Sequence, residues 1–327
     1  MEAWFVQPDG LTRHSSGEIP GLLERTDGIT WVDVASWDTE AETTLIEVFR
    51  CHPLVVSACR QRNHVPTVHG YASHVFVILH APLAGQSGHV HMLELDQVVG
   101  RNYLVTVHGP LNPAVDLADA LRDTDGVRER IEQGRFRPRS AAELSYAIGT
   151  SVARRQRALI GDVAERLPDL EQEVMAADFR RPEVLLERLF LLRHELLIAR
   201  TMAAQANDVY ARIGSLERFV PDADRPFAKD LTEQFDRIRS VADGESQFLV
   251  GVIELYQTRV TTKMTVAMER LAVIAAITLP VTALASIYGM NVIVNDSTRI
   301  VQVVLVLLVM ATISGVLLRW TKRQGWW

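Results

Sequence analysis

The chain has 327 residues, a length typical of two domains or of one domain joined to a membrane part. Its formal net charge is −6, and no basic stripe is interleaved with aromatic residues, so nucleic acid is excluded as an expected partner. The sequence contains no Walker loop, no Gly-x-Ser-x-Gly and no His-Glu-x-x-His, and therefore does not indicate an enzyme. The two cysteines, Cys51 and Cys59, are expected to be reduced thiols.

The first part of the chain, residues 1–130, predicts a cytoplasmic α/β domain, since no signal peptide precedes it. Apolar, β-branched runs predict strands at 3–7, 30–35, 74–80, 91–98 and 102–107. Helical patterns cover 39–49, 53–61 and 113–124. Thr39 and Glu42 are predicted to form a capping box at the start of the first helix.

From residue 131 to residue 224 the sequence predicts a helical hairpin, with helices at 141–176 and 182–213. Leucines at helical spacing predict the buried side of the second helix: Leu185, Leu189, Leu192 and Leu196. One long stalk helix is predicted over 225–288, because no proline occurs between Pro226 and Pro280. Its predicted buried stripe consists of Leu231, Phe235, Ile238, Val241, Phe248 and Leu255.

Two apolar runs, 271–288 and 300–318, contain no charged side chain. Each is as long as the ~17–25 residues that a membrane-crossing helix needs. Residues 289–299 are the predicted external loop, and 319–327 a basic and aromatic tail at the lipid interface. The loop contains one basic residue, whereas six flank the runs on the other side: Arg259, Lys263, Arg270, Arg319, Lys322 and Arg323. This asymmetry predicts a multi-pass cell-membrane protein with both termini cytoplasmic.

The first run has a polar face without charge. Thr278, Thr282 and Ser286 follow each other at four-residue steps, whereas the second run is mostly Val, Leu and Ile. This contrast fits an inner pore helix and an outer lipid-facing helix, but equally fits hydroxyls that pack helix against helix. Two helices cannot enclose a pore, so a pore would need several copies. Without carboxylates, such a pore suits Mg²⁺ that keeps its water shell.

The sequence Tyr-Gly-Met-Asn at 288–291 lies between the two runs, after the proline-bearing stretch that starts at Met268. Together with the segments that begin at His52, Arg62 and Arg101, it resembles the CorA-type magnesium transporter family over nearly the whole chain. The resemblance implies a homopentamer with a cytoplasmic funnel, and Mg²⁺ uptake driven by the electrochemical gradient. It implies selectivity at Tyr288, Gly289, Met290 and Asn291. The implied pore face is Thr265, Met268, Leu271, Ala275, Leu279, Thr282 and Ser286, with hydrophobic rings that gate by dewetting.

The resemblance also implies a regulatory Mg²⁺ site. It places Asp230 at the acid of the long helix, and Glu233 lies one turn away. The segment after His80 lacks the acid expected to partner Asp230, so loss of feedback by Mg²⁺ is one possible outcome. Asp296 is the one acid in the loop and the candidate external cation ligand.

Two departures concern the pore. Thr265 stands where the family usually has asparagine, and Ser286 where it usually has glycine.

Two other functions stay open. His89 and His91 share a face if they lie on a strand, which favours Zn²⁺ binding and a proton-coupled zinc transporter of the same superfamily. A membrane-anchored sensor or scaffold without transport would also use the soluble body and the long helix. The polar face of the first run argues against that second alternative.

Overall fold

The protein is described by a computed structural model that covers residues 1–110, 112–176, 182–216, 220–289 and 300–323. The chain divides into two compact units, Met1–Gly251 and Val252–Trp327.

The first unit contains a seven-stranded mixed sheet in the order β2-β1-β3-β7-β6-β5-β4. Its strands are β1 (Glu2–Gln7), β2 (Gly10–His14), β3 (Ile29–Val34), β4 (Thr67–Gly70), β5 (Val75–Ala84), β6 (Val90–Val99) and β7 (Tyr103–His108). Among the described strands, β3 and β7 form the parallel pair and the other pairs are antiparallel. The five predicted strands are confirmed. The two that the prediction missed, β2 and β4, are the edges of the sheet, where polar residues are tolerated.

The helices are α1 (Ile19–Glu24), α2 (Thr39–Thr43), α3 (Pro53–Arg60), α4 (Leu117–Glu132), α5 (Ala141–Ala176), α6 (Pro182–Ser215), α7 (Arg225–Gly289) and α8 (Ile300–Arg323). Those of the first unit cover both faces of the sheet. Helix α1 was not predicted. The predicted helix at 39–49 is split, since a π-helical turn, Thr44–Val48, follows α2.

The capping box predicted for α2 is wrong. The N-cap is Asp38, whose carboxylate accepts a hydrogen bond from the Ala41 N–H at 2.7 Å. Glu42 does not return to the helix start but pairs with Arg60. The aspartate supplies the acceptor that the free N–H groups of the first turn need, so Thr39 begins the helix instead of capping it.

Alternating side chains of β3 point into two hydrophobic cores, one on each face of the sheet. Trp31 of β3 is fully buried beside Trp4, with ring centroids 5.2 Å apart, in the core that α4, α5, α6 and α7 share. Val32 and Val34 point to the opposite core, which α1, α2 and α3 cover. The α/β layer, α5, α6 and the part of α7 up to Gly251 thus belong to one folded unit.

The predicted helix stripes are only partly correct. The four leucines of α6 are buried as predicted, and so are Leu231, Phe235 and Ile238 of α7. Val241 and Phe248 are exposed, so their assignment to the buried stripe is wrong. At 100° per residue, Val241 lies about 90° and Phe248 about 110° from the mean direction of the buried residues. The stripe continues through Ala242 and Leu249 instead, and both are buried.

Candidate ion pathway

Helices α7 and α8 each contain a window long and apolar enough to cross a membrane. Only 6% of that window in α7 and none of it in α8 is buried. A core helix of a soluble protein would instead bury most of such a window. Both helices therefore carry apolar surface that water does not favour, and a lipid bilayer is the environment that suits it.

Each of the two helices has one shielded side. In α7 the less exposed positions recur at three- and four-residue steps: Glu269, Val273, Ala276, Ile277, Pro280, Val281 and Leu284. In α8 they are Val306, Met310, Ile313, Ser314, Leu317 and Thr321. These stripes mark the side of each helix that is least accessible to solvent. The α7 helix continues through Pro280 without a break.

The predicted pore face lies on the other side of α7. All seven of its residues from Thr265 to Ser286 are exposed in the single chain, with Leu271 at 65% and Leu279 at 67%. At 100° per residue their mean direction is about 150° from the shielded stripe. The described residues of the single chain leave this face exposed, so it is available to line a path between copies.

Two threonine hydroxyls on this helix donate hydrogen bonds to backbone carbonyls of the same helix. The Thr265 hydroxyl donates to the carbonyl of Thr261 at 3.0 Å, and the Thr278 hydroxyl donates to the carbonyl of Ile274 at 2.9 Å. Each oxygen therefore presents lone pairs outward. The bound water of a cation points its hydrogens outward, so the Thr265 oxygen, which lies on the predicted pore face, can accept a hydrogen bond from a hydrated ion.

The signature lies at the end of α7. The helix ends at Gly289, which agrees with the predicted end of the stalk helix near 288. Met290 and Asn291 lie outside the described residues, and so do Asp296 and the tail tryptophans Trp326 and Trp327. Their assigned roles stay predictions.

Asp230 is exposed on α7 but has protein partners. Its carboxylate accepts hydrogen bonds from the Tyr146 hydroxyl at 2.7 Å and from the Gln234 amide at 2.5 Å. Partial burial, and next the hydrogen bond to Asp230, raises the pKa of Tyr146, which keeps the phenol a donor. Sequence reasoning missed Tyr146, because it is separated from Asp230 by 84 positions and only the fold brings the two together.

The described residues of one copy form no regulatory metal cluster. Glu233 lies 4.0 Å from the Lys229 ammonium. Across the part of the chain that the structure describes, there is no group of three or more His, Cys, Asp or Glu side chains that could hold a metal ion. A site at Asp230 would therefore need ligands from a second copy.

His89 and His91 do come together, with ring centroids 4.6 Å apart in an edge-on arrangement. A nitrogen of His91 lies 3.2 Å from the Asn112 amide nitrogen. The residues described here add no third His, Cys or acidic ligand. The pair alone offers two of the four ligands that a zinc site usually has.

Comparison with known proteins agrees with the fold and with the predicted family. The chain is 26% identical over 306 residues to the cobalt/magnesium transport protein CorA of Thermotoga maritima, covering 91% of this chain and 83% of that protein. Its structure is similar to the CorA magnesium transporter of Methanocaldococcus jannaschii, with a TM-score of 0.81, 17% identity, and coverage of 100% of this chain and 99% of the other.

The fold of the cytoplasmic domain of ZntB from Vibrio parahaemolyticus is also similar, with a TM-score of 0.62 and 11% identity over 80% of this chain and 98% of the other. Similarity at these structural identities concerns the fold. The sequence itself matches, over residues 26–323, the family described as CorA-like Mg²⁺ transporter protein. The match spans both units and both apolar helices, and the chain belongs to this family.

Proposed function

We propose that this chain forms a divalent cation channel that takes up Mg²⁺ along its electrochemical gradient. The observation that carries the proposal is the exposed face of α7, which contains hydroxyls and apolar side chains but no charge between Leu271 and Gly289. Family membership supports the same function. A membrane potential supplies about 2.3 kcal/mol per elementary charge for each 100 mV, so a divalent ion gains about twice that on entry.

The assembly that we propose is a homopentamer in the cell membrane with both termini cytoplasmic. Each copy would contribute a cytoplasmic α/β domain (1–130), a helical hairpin (131–224), a stalk and first span (225–288), an external loop (289–299), a second span (300–318) and a tail (319–327). Five copies of the α7 face would then surround the path, and the lipid would contact α8. In such an assembly, rings of polar side chains would follow one another along the path. Together they would supply the oxygen ligands for the ion that a single chain lacks.

In this proposal the ion keeps its water. Mg²⁺ releases water reluctantly, so a wall of lone pairs that accepts hydrogen bonds from the hydrated ion favours it over softer metals. Asn291 of the signature would select the ion at the outer mouth, with Asp296 near it as an external cation ligand. The rings of Met268, Leu271 and Leu279 would close the path by dewetting.

The function is tested by cation flux into liposomes that contain the full chain. We expect Mg²⁺, Co²⁺ and Ni²⁺ to enter, with rates that rise when the interior is made negative and that do not change with a pH gradient. With a potential of 100 mV the driving force for a divalent ion is about 4.6 kcal/mol, which should raise net influx by at least about tenfold. Absence of flux for every ion would favour a sensor or scaffold.

A zinc transporter is the second candidate, and the adjacent rings of His89 and His91 favour it. The same liposomes distinguish it, because Zn²⁺ flux that follows the pH gradient and exceeds Mg²⁺ flux would contradict the magnesium proposal. His89 and His91 are distant in sequence from both apolar helices. Substitution of the two histidines would therefore test Zn²⁺ binding without altering the pore face.

We also propose that Asp230, with Glu233 nearby, binds regulatory Mg²⁺ between copies. If so, Mg²⁺ at ten times its Kd should extend the lifetime of the full chain under trypsin by up to about tenfold. The Asp230→Ala variant should lose most of that protection, because a carboxylate oxygen is a preferred Mg²⁺ ligand.

The matched control for this experiment is Asp236→Ala, since Asp236 is an exposed acid on the same helix that pairs with Arg239. The control should keep the protection. Equal protection in Asp230→Ala and in the unaltered chain, or no protection in either, would exclude this regulatory site.

A further inference from the structure

Two carboxyl groups are buried together beneath α3, in a part of the sheet that none of the proposed transport steps uses. Asp96 and Glu94 are two positions apart on β6, so both side chains point to the same face as Val98, into the core that α1, α2 and α3 cover. Asp96 is fully buried and Glu94 is 8% exposed. The two carboxyl groups are in hydrogen-bond contact with each other. Two ionised carboxylates in such contact would repel, so the pair must hold a proton.

The surroundings assign that proton to Asp96. Neither oxygen of Asp96 receives a hydrogen bond from an N–H or O–H group in the described part of the chain. Glu94, in contrast, accepts two hydrogen bonds from Asn63, one from the backbone N–H at 2.7 Å and one from the side-chain amide at 2.6 Å. These donors stabilise an ionised Glu94, whereas an ionised Asp96 would be an unpaired charge in an apolar core. Protonated Asp96 therefore donates its hydrogen bond to Glu94.

The other titratable groups around the pair supply no buried positive charge among the described residues. They are Cys59 of α3, Cys51 before it, His80 of β5, and the exposed Arg62 and His64 after α3. On the other side, β7 places the apolar Val107 opposite Asp96. Burial, above all, raises the pKa of Cys59 and lowers the pKa of His80, so the thiol and the imidazole are neutral near pH 7. Arg62 attracts Glu94, but from the surface.

The Glu94 carboxylate binds the chain between α3 and β4, residues 61–66, which we call the α3–β4 segment. Besides the two hydrogen bonds from Asn63 to Glu94, Nε2 of His80 lies 2.8 Å from the Asn63 carbonyl oxygen. A carbonyl oxygen can only accept, so the neutral His80 carries its proton on Nε2 and donates it. His80 and Glu94 are cross-strand partners on β5 and β6. Three hydrogen bonds thus fix one residue of the segment to two facing residues of the sheet.

We propose that the Asp96 proton is a pH-sensitive switch that holds the α3–β4 segment on the sheet. While Asp96 is protonated, its hydrogen bond orients Glu94 toward Asn63. When the proton passes to solvent at higher pH, the two buried negative charges repel each other, and Glu94 turns toward water and Arg62. Asn63 then loses the acceptor of two hydrogen bonds, and the segment opens.

The direction of the pH dependence follows from which state binds the proton. Burial, and next the charge of Glu94, raises the pKa of Asp96 well above its usual range, whereas in an unfolded chain an aspartate ionises near pH ~3.9. The folded chain therefore keeps a proton that the unfolded chain has released. The stability that the pair contributes is fully present below that unfolded pKa. It falls as the pH rises through the raised pKa of Asp96, and it does not change further above it.

Hydrogen exchange of the full chain in lipid nanodiscs tests the switch, with Asp96→Asn as the variant. The asparagine amide can also donate a hydrogen bond to Glu94, but it cannot ionise. At about pH 6 the backbone amides of the α3–β4 segment should exchange equally fast in the variant and in the unaltered chain. At about pH 9 they should exchange about tenfold faster in the unaltered chain, since hydrogen bonds to a charged group are lost. Comparison at equal pH cancels the intrinsic pH dependence of exchange.

The matched control is Asp9→Asn, the same substitution at an exposed aspartate in the turn between β1 and β2. It should keep the pH dependence of the unaltered chain. Infrared spectroscopy is the second measurement, because a protonated carboxyl group has a carbonyl band that a carboxylate lacks. At about pH 7 that band should be present in the unaltered chain and weaker in Asp96→Asn.

The proposal is overturned if the unaltered chain has no such band at about pH 7. It is also overturned if exchange changes equally with pH in Asp96→Asn and in the unaltered chain. Should Asp96→Asn fail to fold, the unaltered chain decides alone: opening of the α3–β4 segment must follow the loss of the band, and opening at any other pH contradicts the switch. These measurements involve no cation flux, so the result does not depend on transport.

Discussion

Replacing Asn291 with alanine is expected to reduce Mg²⁺ flux by more than about a hundredfold while the oligomer stays intact. The amide oxygen can accept a hydrogen bond from water on the ion, and every copy would contribute one amide. A hydrogen bond to a charged or strongly polarised group contributes ~1.5–3 kcal/mol, so losing several at one ring multiplies the effect. Liposome flux and size-exclusion chromatography of the same preparation measure both parts of the prediction.

The control for that experiment is Asn295→Ala, an asparagine in the same loop that is outside the signature. It should transport normally. Normal Mg²⁺ flux in Asn291→Ala would contradict the assignment of the mouth, and equal loss in both variants would show that the loop tolerates no change.

Replacing Leu279 with serine is expected to raise basal Mg²⁺ flux by about tenfold. Leu279 is 67% exposed in the single chain, on the proposed pore face. A ring of leucines excludes water from a narrow path, and a hydroxyl at each position restores hydrogen bonding and favours a wet path. Burial of a leucine side chain contributes ~1.5–3 kcal/mol of free energy. If the closed state loses even part of that stabilisation, the flux should change about tenfold.

Ile274→Ser is the matched control for Leu279→Ser. Ile274 has a similar exposure, 57%, but lies about 140° around the helix from Leu279. Flux measured with high Mg²⁺ inside should rise only in the Leu279 variant. A similar rise in both variants would indicate general damage to the helix, and no rise in either would exclude Leu279 as a closed constriction.

Much of the fold could be predicted because the signals were local. Helix α5 was predicted with its observed bounds, Ala141–Ala176, and α7 was predicted from the absence of proline. Strands β2 and β4 were missed because edge strands pair on one side and need little apolar sequence. Val241 shows the limit of helix periodicity, since it follows Ile238 at a three-residue step although it lies about 90° from the mean direction of the buried residues.

Only part of the candidate site could be predicted from the sequence. The exposure of the seven predicted pore residues is consistent with their role, since spacing on one helix defines a face without any tertiary contact. The contact between Tyr146 and Asp230 depends on how two distant helices pack, and no local pattern encodes it. A cavity between α5, α6 and α7 likewise depends on how distant helices pack, so no local sequence pattern encodes it.

The threonine hydroxyls that donate to the backbone of their own helix affect whether anions can enter the proposed path. A chloride ion needs hydrogen-bond donors, and the Thr265 hydroxyl has already given its proton to the Thr261 carbonyl. A wall built from such oxygens is electronegative although it carries no formal charge. If copies of this face enclose a path, the ring of Thr265 oxygens in it should disfavour anions, because the protons of these hydroxyls are already donated to the helix backbone.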